Sequence, residues 1–390
     1  MISAMRSRWP AHLSEPLKIL IAALSGRALA QAARLSGFAP LVADFFGDAD
    51  LAALAHGTCQ LAGDFSAGFQ KVELVAALET LSRGHAPLGL VCGTGFEDRP
   101  ALLATLGRRW HLLGNAPQLL AQLKNPMQFA ALCTQAHVPH PESQMHRPDN
   151  MSGWLVKQAG GSGGGHVASS AADTGSGKYY QRLAQGLPVS LLVLADGQAC
   201  RILGTSQQWA APTPQQPFRY GGAVRPAMLS SAQDAALSEA VARMMSALVR
   251  QAAPSTGLKG LNSFDFLVSE TGFSLLEINP RPGATLDIFT HPGLFQAHID
   301  ACNGQLPAQK LEFADAQAAA LLYAERDIAA WPADNWPDWL RDRPKPGTCL
   351  PCGTPVCTIV ASGADAKAAR HLLDQRLASM RRDIADILQA

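Results

Sequence analysis

Three oxygen-bearing side chains, Asp265, Glu277 and Asn279, lie on two apolar segments in the second half of the chain. Glu277 and Asn279 are two residues apart and so face the same side of a strand, and a turn at Gly272 can bring Asp265 opposite them. Two carboxylates and an amide oxygen are the hard ligands that Mg²⁺ or Mn²⁺ prefers. Taken alone, such a hairpin is more typical of a solvated strand face. As a set, these residues are our candidate metal ligands.

Two cationic side chains accompany these oxygens. Arg281 continues the alternation of residues 277 and 279, and its planar guanidinium can hold a carboxylate or an acyl phosphate through paired hydrogen bonds. Lys157 ends an apolar strand and precedes a loop with five glycines among residues 160–165. Glycines permit the positive φ angles that turn backbone N–H groups toward an anion. We expect Lys157 and Arg281 to be catalytic; a plain flexible linker is the alternative interpretation of the loop.

Hydrophobic periodicity predicts the elements that position these residues. Apolar strands alternate with helices in the first third of the chain, which predicts a parallel sheet covered by helices on both faces. A single glycine, Gly26, follows the first strand, so the three-glycine dinucleotide fingerprint is absent and an NAD-dependent oxidoreductase is disfavoured. The predicted strands span residues 18–24, 40–44, 88–92, 154–157, 179–181, 189–194, 264–268, 273–278, 318–324 and 356–361. The predicted helices span residues 28–35, 72–81, 119–137 with a break at Asn125-Pro126, 233–251, and 367 onward.

Composition limits the function classes. Of 390 residues, 32 are Lys or Arg and 31 are Asp or Glu, and no basic stripe is evident, so nucleic acid is not an expected partner. No run approaches the roughly 20 apolar residues of a membrane span. The eight cysteines are dispersed, as expected of free thiols in a reducing cytosol. We expect a cytoplasmic protein that acts on small molecules, and the sequence leaves a homo-oligomer open.

The order and spacing of the candidate residues resemble the ATP-grasp superfamily. The resemblance rests on Lys124 in a helix, Lys157 before the glycine loop, Gln181 after a strand, and Asp265 followed by residues 276–283 (LEINPRPG), its most specific part. It implies a chain of α/β and α+β class, with an ATP-grasp fold, an N-terminal parallel α/β (pre-ATP-grasp) domain and a small C-terminal domain. The predicted divisions are a flexible N-terminus at 1–16, the N-terminal domain at 17–115, a two-lobed nucleotide-binding domain at 116–312 and a C-terminal cap at 313–390.

The resemblance implies a role for each matching residue. Asp265, Glu277 and Asn279 would bind one or two Mg²⁺ ions, and Arg281 would steady an acyl phosphate. The implied ATP-binding residues are Lys124, Lys157, Gly161, Ser162, Gly163, Gly164, Gly165, Gln181, Arg182, Leu183 and Ala184. Gln181 departs from the Glu of many members, which leaves the backbone part of adenine recognition intact. No ribose-binding carboxylate is placed.

Residues 93–100, 113–115 and 218–222 resemble a branch of carboxylate–amine ligases once described as carboxylase-related. Some related members join glutamate to an amine during synthesis of methanofuran-type one-carbon cofactors. The resemblance implies that ATP phosphorylates a carboxylate to an acyl phosphate, which an amine attacks to form an amide. Glu97 and Asp98, after a predicted parallel strand, are candidate substrate residues that could meet the amine; a charge at a helix N-terminus is the alternative.

Other interpretations stay open. A biotin-carboxylase-like enzyme would phosphorylate bicarbonate, although the sequence has no evident biotin-carrier segment. A sensor module would bind ATP without turnover. Cys349, Cys352, Cys357 and His371 could form a zinc knuckle, but Cys357 falls on an apolar strand and His371 in a helix, so packing is the expected role.

Overall fold

The N-terminal layer is a parallel sheet with helices packed against it. Its elements are β1 (Lys18–Ala22), α1 (Arg27–Leu35), β2 (Ala39–Asp44), α2 (Ala49–Leu54), β3 (Gly57–Gln60), α3 (Lys71–Ser82), β4 (Leu90–Cys92) and α4 (Pro100–Gly107). The strand order is β3-β2-β1-β4, and every pairing is parallel, which confirms the predicted α/β layer.

The computed structural model describes residues 15–63, 65–168, 177–226, 231–250, 257–332 and 336–387. The predicted flexible N-terminus lies, except for residues 15 and 16, outside the described residues. Within the described part, no helix is both long enough and apolar enough to cross a membrane.

Close packing decides how the first strand leads into the first helix. Ile19, Leu20 and Ile21 of β1 are fully buried. At Gly26 a Cβ atom would lie 2.3 Å from Cγ1 of Val42, so the chain turns from β1 into α1 against β2 only because this residue has no side chain. This turn places the start of α1 at the carboxyl edge of the sheet.

A helix pair and a small sheet follow. The pair is α5 (Pro117–Lys124) and α6 (Pro126–Gln135), and the small sheet contains β5 (Ser143–Gln144), β6 (Trp154–Gln158), β7 (Val167–Ala168) and β8 (Lys178–Arg182) in the order β5-β8-β6-β7. The predicted helix break is confirmed: the side chain of Asn125 accepts hydrogen bonds from the backbone N–H groups of Met127 and Gln128, and Pro126 begins α6. Lys124 therefore ends α5.

The remaining elements build one large sheet. They are β9 (Leu187–Asp196), β10 (Cys200–Ala210), β11 (Tyr220–Arg225), α7 (Ser231–Arg250), β12 (Lys259–Ser269), β13 (Gly272–Asn279), α8 (Leu294–Cys302), β14 (Ala316–Tyr323), β15 (Leu340–Arg341), β16 (Pro355–Gly363) and α9 (Ala366–Ile387). The strand order is β13-β12-β9-β10-β11-β14-β16-β15. The expected C-terminal cap thus adds strands to the sheet that carries the β12–β13 hairpin, because β14 pairs with β11. The domain boundaries stay predictions.

Two apolar cores hold this sheet between layers. On one face, α5, α6 and α7 pack on β9, β12 and β13, with Leu119, Met244 and Phe264 fully buried. On the other face, residues of β1 and α1 share a core with α8 and with Leu192 and Leu261 of the large sheet. The N-terminal layer therefore packs directly against the sheet that carries the candidate metal ligands.

Candidate functional site

The β12–β13 hairpin brings the three candidate metal ligands together. Its register pairs Asp265 with Glu277 and Ser263 with Asn279. The amide Nδ2 of Asn279 donates to Oδ2 of Asp265 at 2.8 Å, and the hydroxyl of Ser190 on β9 donates to Oδ1 of Asp265 at 2.5 Å. We call Asp265, Glu277 and Asn279 the hairpin site. The sequence predicted this set, whereas nothing in the sequence pattern indicated Ser190.

The ammonium of Lys124 lies against the hairpin site. Its Nζ donates to Oε2 of Glu277 at 3.0 Å and to Oδ1 of Asn279 at 2.8 Å. Burial alone would raise the pKa of Glu277, but the positive charges of Lys124, Lys157 and His166 outweigh it and lower the pKa to about 2. Burial and the charge of Glu277 raise the pKa of Asp265 to about 6. The site thus holds an ionised carboxylate beside one that ionises less readily.

Lys157 reaches the same electrostatic environment from the small sheet. Its Nζ donates to Oε1 of Gln181 at 3.1 Å, and Nε2 of Gln181 donates to the hydroxyl of Ser143 at 3.2 Å. Burial lowers the pKa of Lys157, and Lys124 lowers it further, against the attraction of Glu277. Because Gln181 is a neutral amide, it accepts from Lys157 without cancelling its charge. The charge of Lys157 remains available to an anion.

The other residues predicted to line adenine lie at the end of β8 and directly after it. Arg182 stacks over the ring of Trp154, with Cζ 4.5 Å from the ring centroid, and lies within ion-pair distance of Glu142. Leu183 is 43% exposed, and its backbone N–H donates to the carbonyl of Gly153. The fold therefore brings Gln181 to Lys157 but directs Arg182 toward Trp154. The roles of Arg182, Leu183 and Ala184 stay predictions.

The glycine loop is a docked structure. Gly160, Gly163 and Gly164 have φ angles of 73°, 68° and 73°. The backbone N–H of Tyr220 donates to the carbonyl of Gly163 at 2.9 Å, and a Cβ at Gly164 would lie 1.9 Å from the carbonyl oxygen of Phe218. These contacts join the loop to Phe218 and to the first residue of β11, and the positive φ angles and the close approach explain the glycines. Residues 169–176, after β7, lie outside the described residues.

Arg281 is oriented by a carboxylate from the N-terminal layer. Its Nε donates to Oε1 of Glu97 at 2.6 Å, and the backbone N–H of Gly95 donates to Oε2 of Glu97 at 2.7 Å. Glu97 is only 3% exposed, and although burial would raise its pKa, Arg281 and Lys124 lower it. Asp98 is more exposed and pairs with Arg99, with Nε and Oδ1 3.4 Å apart. The two candidate substrate residues therefore differ in exposure, because Glu97 is buried against Arg281 whereas Asp98 is exposed to solvent.

Asn115 ties the hairpin to the N-terminal layer. Its Nδ2 donates to the carbonyl of Pro280 and to Oδ1 of Asn262, both at 2.8 Å, and its Oδ1 accepts from the backbone N–H of Lys259. These bonds hold the backbone between the hairpin site and Arg281. The sequence marked Asn115 only as part of a family-like segment, because its partners are far away along the chain.

The cysteines of the zinc-knuckle interpretation are not clustered. Cys357 is buried in β16, where burial raises the pKa of its thiol, whereas Cys349 and Cys352 are exposed. Throughout the described residues, no group of three or more His, Cys, Asp or Glu side chains is arranged to hold a metal ion. The hairpin site has two carboxylates and an amide oxygen, so it has too few such side chains to form a group of this kind.

We compared the chain with known protein families and solved structures. Residues 127–285 match a family described as ATP-grasp domain. No curated protein matches the sequence as a relative. Among solved structures, the chain is similar to an L-amino acid ligase from Bacillus licheniformis, at 11% identity and a TM-score of 0.67, over 94% of this chain and 98% of that one.

Two carboxylases are also similar in structure. The biotin carboxylase domain of Hydrogenobacter thermophilus 2-oxoglutarate carboxylase, in complex with MgADP, ADP and bicarbonate, gives 11% identity and a TM-score of 0.63, over 88% of this chain and 86% of that one. Rhizobium etli pyruvate carboxylase gives 16% identity and a TM-score of 0.66 over 93% of this chain. The chain spans 39% of that much longer carboxylase. At these identities the likeness establishes the fold, which is the one that the sequence motifs predicted.

Proposed function

We propose that this chain, in which residues 127–285 match a family described as ATP-grasp domain, is an ATP-dependent ligase of the ATP-grasp type. It would convert a carboxylate substrate to an acyl phosphate and transfer the acyl group to an amine, with release of ADP and phosphate. The observation that carries this proposal is the meeting of Lys124 and Lys157 with the carboxylates of Asp265 and Glu277 in one electrostatic environment.

The hairpin site fits Mg²⁺. Oxygens of Glu277 and Asn279 already converge on one positive group, the ammonium of Lys124, and Asp265 is hydrogen-bonded to Asn279. A hard divalent cation prefers such oxygen ligands, and Mn²⁺ is an alternative ion. When bound, the metal would neutralise charge on the phosphate oxygens of ATP.

Residues around the glycine loop are the proposed nucleotide site. Lys157 has no carboxylate partner at hydrogen-bond distance among the described residues, so its charge suits a phosphate. The docked loop would cover the phosphates and keep water from a reactive intermediate. The residues proposed for ATP are Lys124, Lys157, Gly161, Ser162, Gly163, Gly164, Gly165, Gln181, Arg182, Leu183 and Ala184.

The first step, phosphorylation of the carboxylate, depends on the positions of the reacting groups more than on proton transfer. The attacking carboxylate is already an anion, so no base is required, and catalysis depends on neutralising the phosphoryl oxygens. Arg281, which donates to Glu97, would steady the acyl phosphate. In the second step the amine nitrogen bonds to the acyl carbon, the carbon–oxygen bond to phosphate breaks, and the amine loses a proton.

Finer assignments belong to the same proposal. Glutamate and an amine of one-carbon cofactor synthesis are the substrates that the motif resemblance favours. Phosphorylation of bicarbonate is a second candidate, because one similar structure is a biotin carboxylase domain with bicarbonate. Binding of ATP without turnover would make the protein a sensor instead.

A coupled assay of ADP release, over carboxylic acids crossed with amines and with bicarbonate as a separate arm, distinguishes these functions. A ligase releases ADP rapidly only with an acid and an amine together. Release with bicarbonate alone supports the carboxylase candidate, and release with no combination, while ATP still raises the melting temperature, supports a sensor.

A further inference from the structure

A cavity of about 200 Å³ lies where the N-terminal layer meets the large sheet. Gly93 and Thr94, just after β4, line one side, and Pro282 and Gly283 line another. The latter pair directly follows Arg281 in the chain, so the cavity adjoins the proposed place of the acyl phosphate. No residue of the glycine loop or of the hairpin site is among its described lining residues.

The charged side chains that line this cavity are mostly carboxylates. Asp48, Asp287 and Asp342 line it together with the guanidinium of Arg27. Arg27 donates to both oxygens of Asp287 at 2.6 and 2.5 Å, and to both oxygens of Asp342 at 2.9 and 3.1 Å. We call this pocket the acidic cavity. Arg27 is the only cation that lines the cavity among the described residues, and it is thus ion-paired with Asp287 and Asp342.

One carboxylate oxygen of Asp48, Oδ2, has no hydrogen-bond partner among the described residues. Asp48 is only 4% exposed. It precedes α2 but makes no side-chain cap to that helix. A buried carboxylate oxygen without a partner opposes folding, and a cation supplied by a ligand would offset that cost.

Most of the remaining lining is apolar, and Ser25, Thr94, Tyr220 and Thr358 add hydroxyl groups. Leu29, Phe46, Leu286 and Val356 line the cavity together with residues 319–321 of β14. A ligand that fills this space must therefore bury an apolar body while placing positive charge at Asp48. An anionic ligand would meet two more carboxylates and no free cation within the described lining.

Building on the proposed ligase function, we propose that the acidic cavity binds the organic substrate and selects a molecule with an apolar body and a protonated amino group at Asp48. This amino group is a recognition group, because the nitrogen that attacks an acyl phosphate must be neutral. Burial and the charges of Asp342, Asp44 and Asp50 raise the pKa of Asp48, while Arg27 lowers it. A bound ammonium would favour the ionised carboxylate.

Binding of matched small molecules to the full-length protein tests this assignment. The probes are primary amines from butylamine to phenethylamine, each paired with the alcohol of the same shape and with a carboxylate of similar length. Calorimetry at about pH 8, with and without MgADP, should give amine dissociation constants at least about tenfold below those of the alcohols, and no binding of the carboxylates. If no amine binds more tightly than its alcohol, the assignment is wrong.

Three variants keep the test specific. Asp48→Asn should reduce amine binding to the level of the alcohol, whereas Asp374→Asn, which removes an exposed carboxylate on α9, should bind as the wild type does. Ala28→Phe, which extends a lining side chain into the space, should weaken binding of amine and alcohol alike. A preference for amines that survives Asp48→Asn overturns the proposal.

The outcome is separable from that of the ligase proposal. MgATP should raise the melting temperature of wild type, Asp48→Asn and Ala28→Phe equally, because none of these changes touches the hairpin site. Failure of MgATP to bind any of them would count against the ligase proposal alone. If the wild-type protein binds MgATP but does not prefer amines to alcohols, only the proposal for the acidic cavity is contradicted.

Discussion

The hairpin site and the acidic cavity are two charge clusters that differ in how their charges are balanced. At the hairpin site, Lys124 donates to both Glu277 and Asn279, so the carboxylate of Glu277 has a cationic partner. In the acidic cavity, Arg27 serves two carboxylates and Asp48 has no hydrogen-bond partner for Oδ2 among the described residues. The comparison teaches that removing a carboxylate should have opposite effects on stability at the two places.

The largest expected effect is on turnover at the hairpin site. Glu277→Gln should lower ADP release by at least about 100-fold, because it removes one of two proposed metal carboxylates. Steady-state assays over a range of Mg²⁺ concentrations measure it. Glu270→Gln, in the turn of the same hairpin, is the matched control and should retain wild-type turnover. Similar turnover in both variants would remove the metal assignment.

Lys157→Ala tests whether the proposed nucleotide site, formed by Lys157 and the glycine loop, is separate from the acidic cavity. It should weaken MgATP binding at least about tenfold, because a charge-assisted hydrogen bond contributes about 1.5–3 kcal/mol. The ATP-induced rise in melting temperature measures the loss, while binding of amine probes should not change. Lys367→Ala, on the exposed side of α9, serves as the control. An unaltered ATP-induced shift in Lys157→Ala would contradict the phosphate role.

Glu97→Gln tests the contact that orients Arg281. We expect turnover to fall roughly tenfold, since the neutral amide holds the guanidinium less firmly. Because the change affects position rather than binding, kcat should fall while KM for ATP stays the same. Glu79→Gln, exposed on α3, provides the reference. An unchanged kcat would show that the contact with Glu97 is not needed for catalysis.

The smallest effects, on stability, give the sharpest contrast. Glu277 has a pKa of about 2 in the folded protein, below its ordinary value, so it stabilises the fold above about pH 4.5 and this contribution is lost as the pH falls toward 2. Glu277→Gln should therefore unfold more easily at neutral pH, by about 1–2 kcal/mol after solvent screening at this partly exposed group.

Asp48→Asn should show the opposite sign. Because the folded pKa of Asp48 is raised, wild-type stability from this group is lost as the pH rises above about 4, and the variant avoids that loss. Urea denaturation between about pH 4 and pH 8 should show the variant gaining about 1 kcal/mol over wild type at the upper end. Destabilisation of Asp48→Asn across this range would mean that its carboxylate is partnered.

The hairpin and the helix break were predictable because their causes are local. Alternation of polar and apolar residues placed Asp265, Glu277 and Asn279 on one strand face, and the observed register confirms that Asp265 lies opposite Glu277. Asn125-Pro126 combines a capping side chain with a residue that cannot continue a helix, and the break lies there. Each of these predictions depends on residues close together in the chain or joined by a tight turn.

The sequence by itself determined which residue types could bind phosphate and metal, the strand and helix that carry them, and the ATP-grasp motif. The tertiary structure alone decided their partners: Lys124 with Glu277 across 153 positions, Arg281 with Glu97 across 184, and Arg27 with Asp342 across 315. Periodicity is a property of short segments, whereas a buried charge takes whatever partner the packing of layers brings near. The unpartnered oxygen of Asp48 results from that packing, and so it has no signature in the sequence.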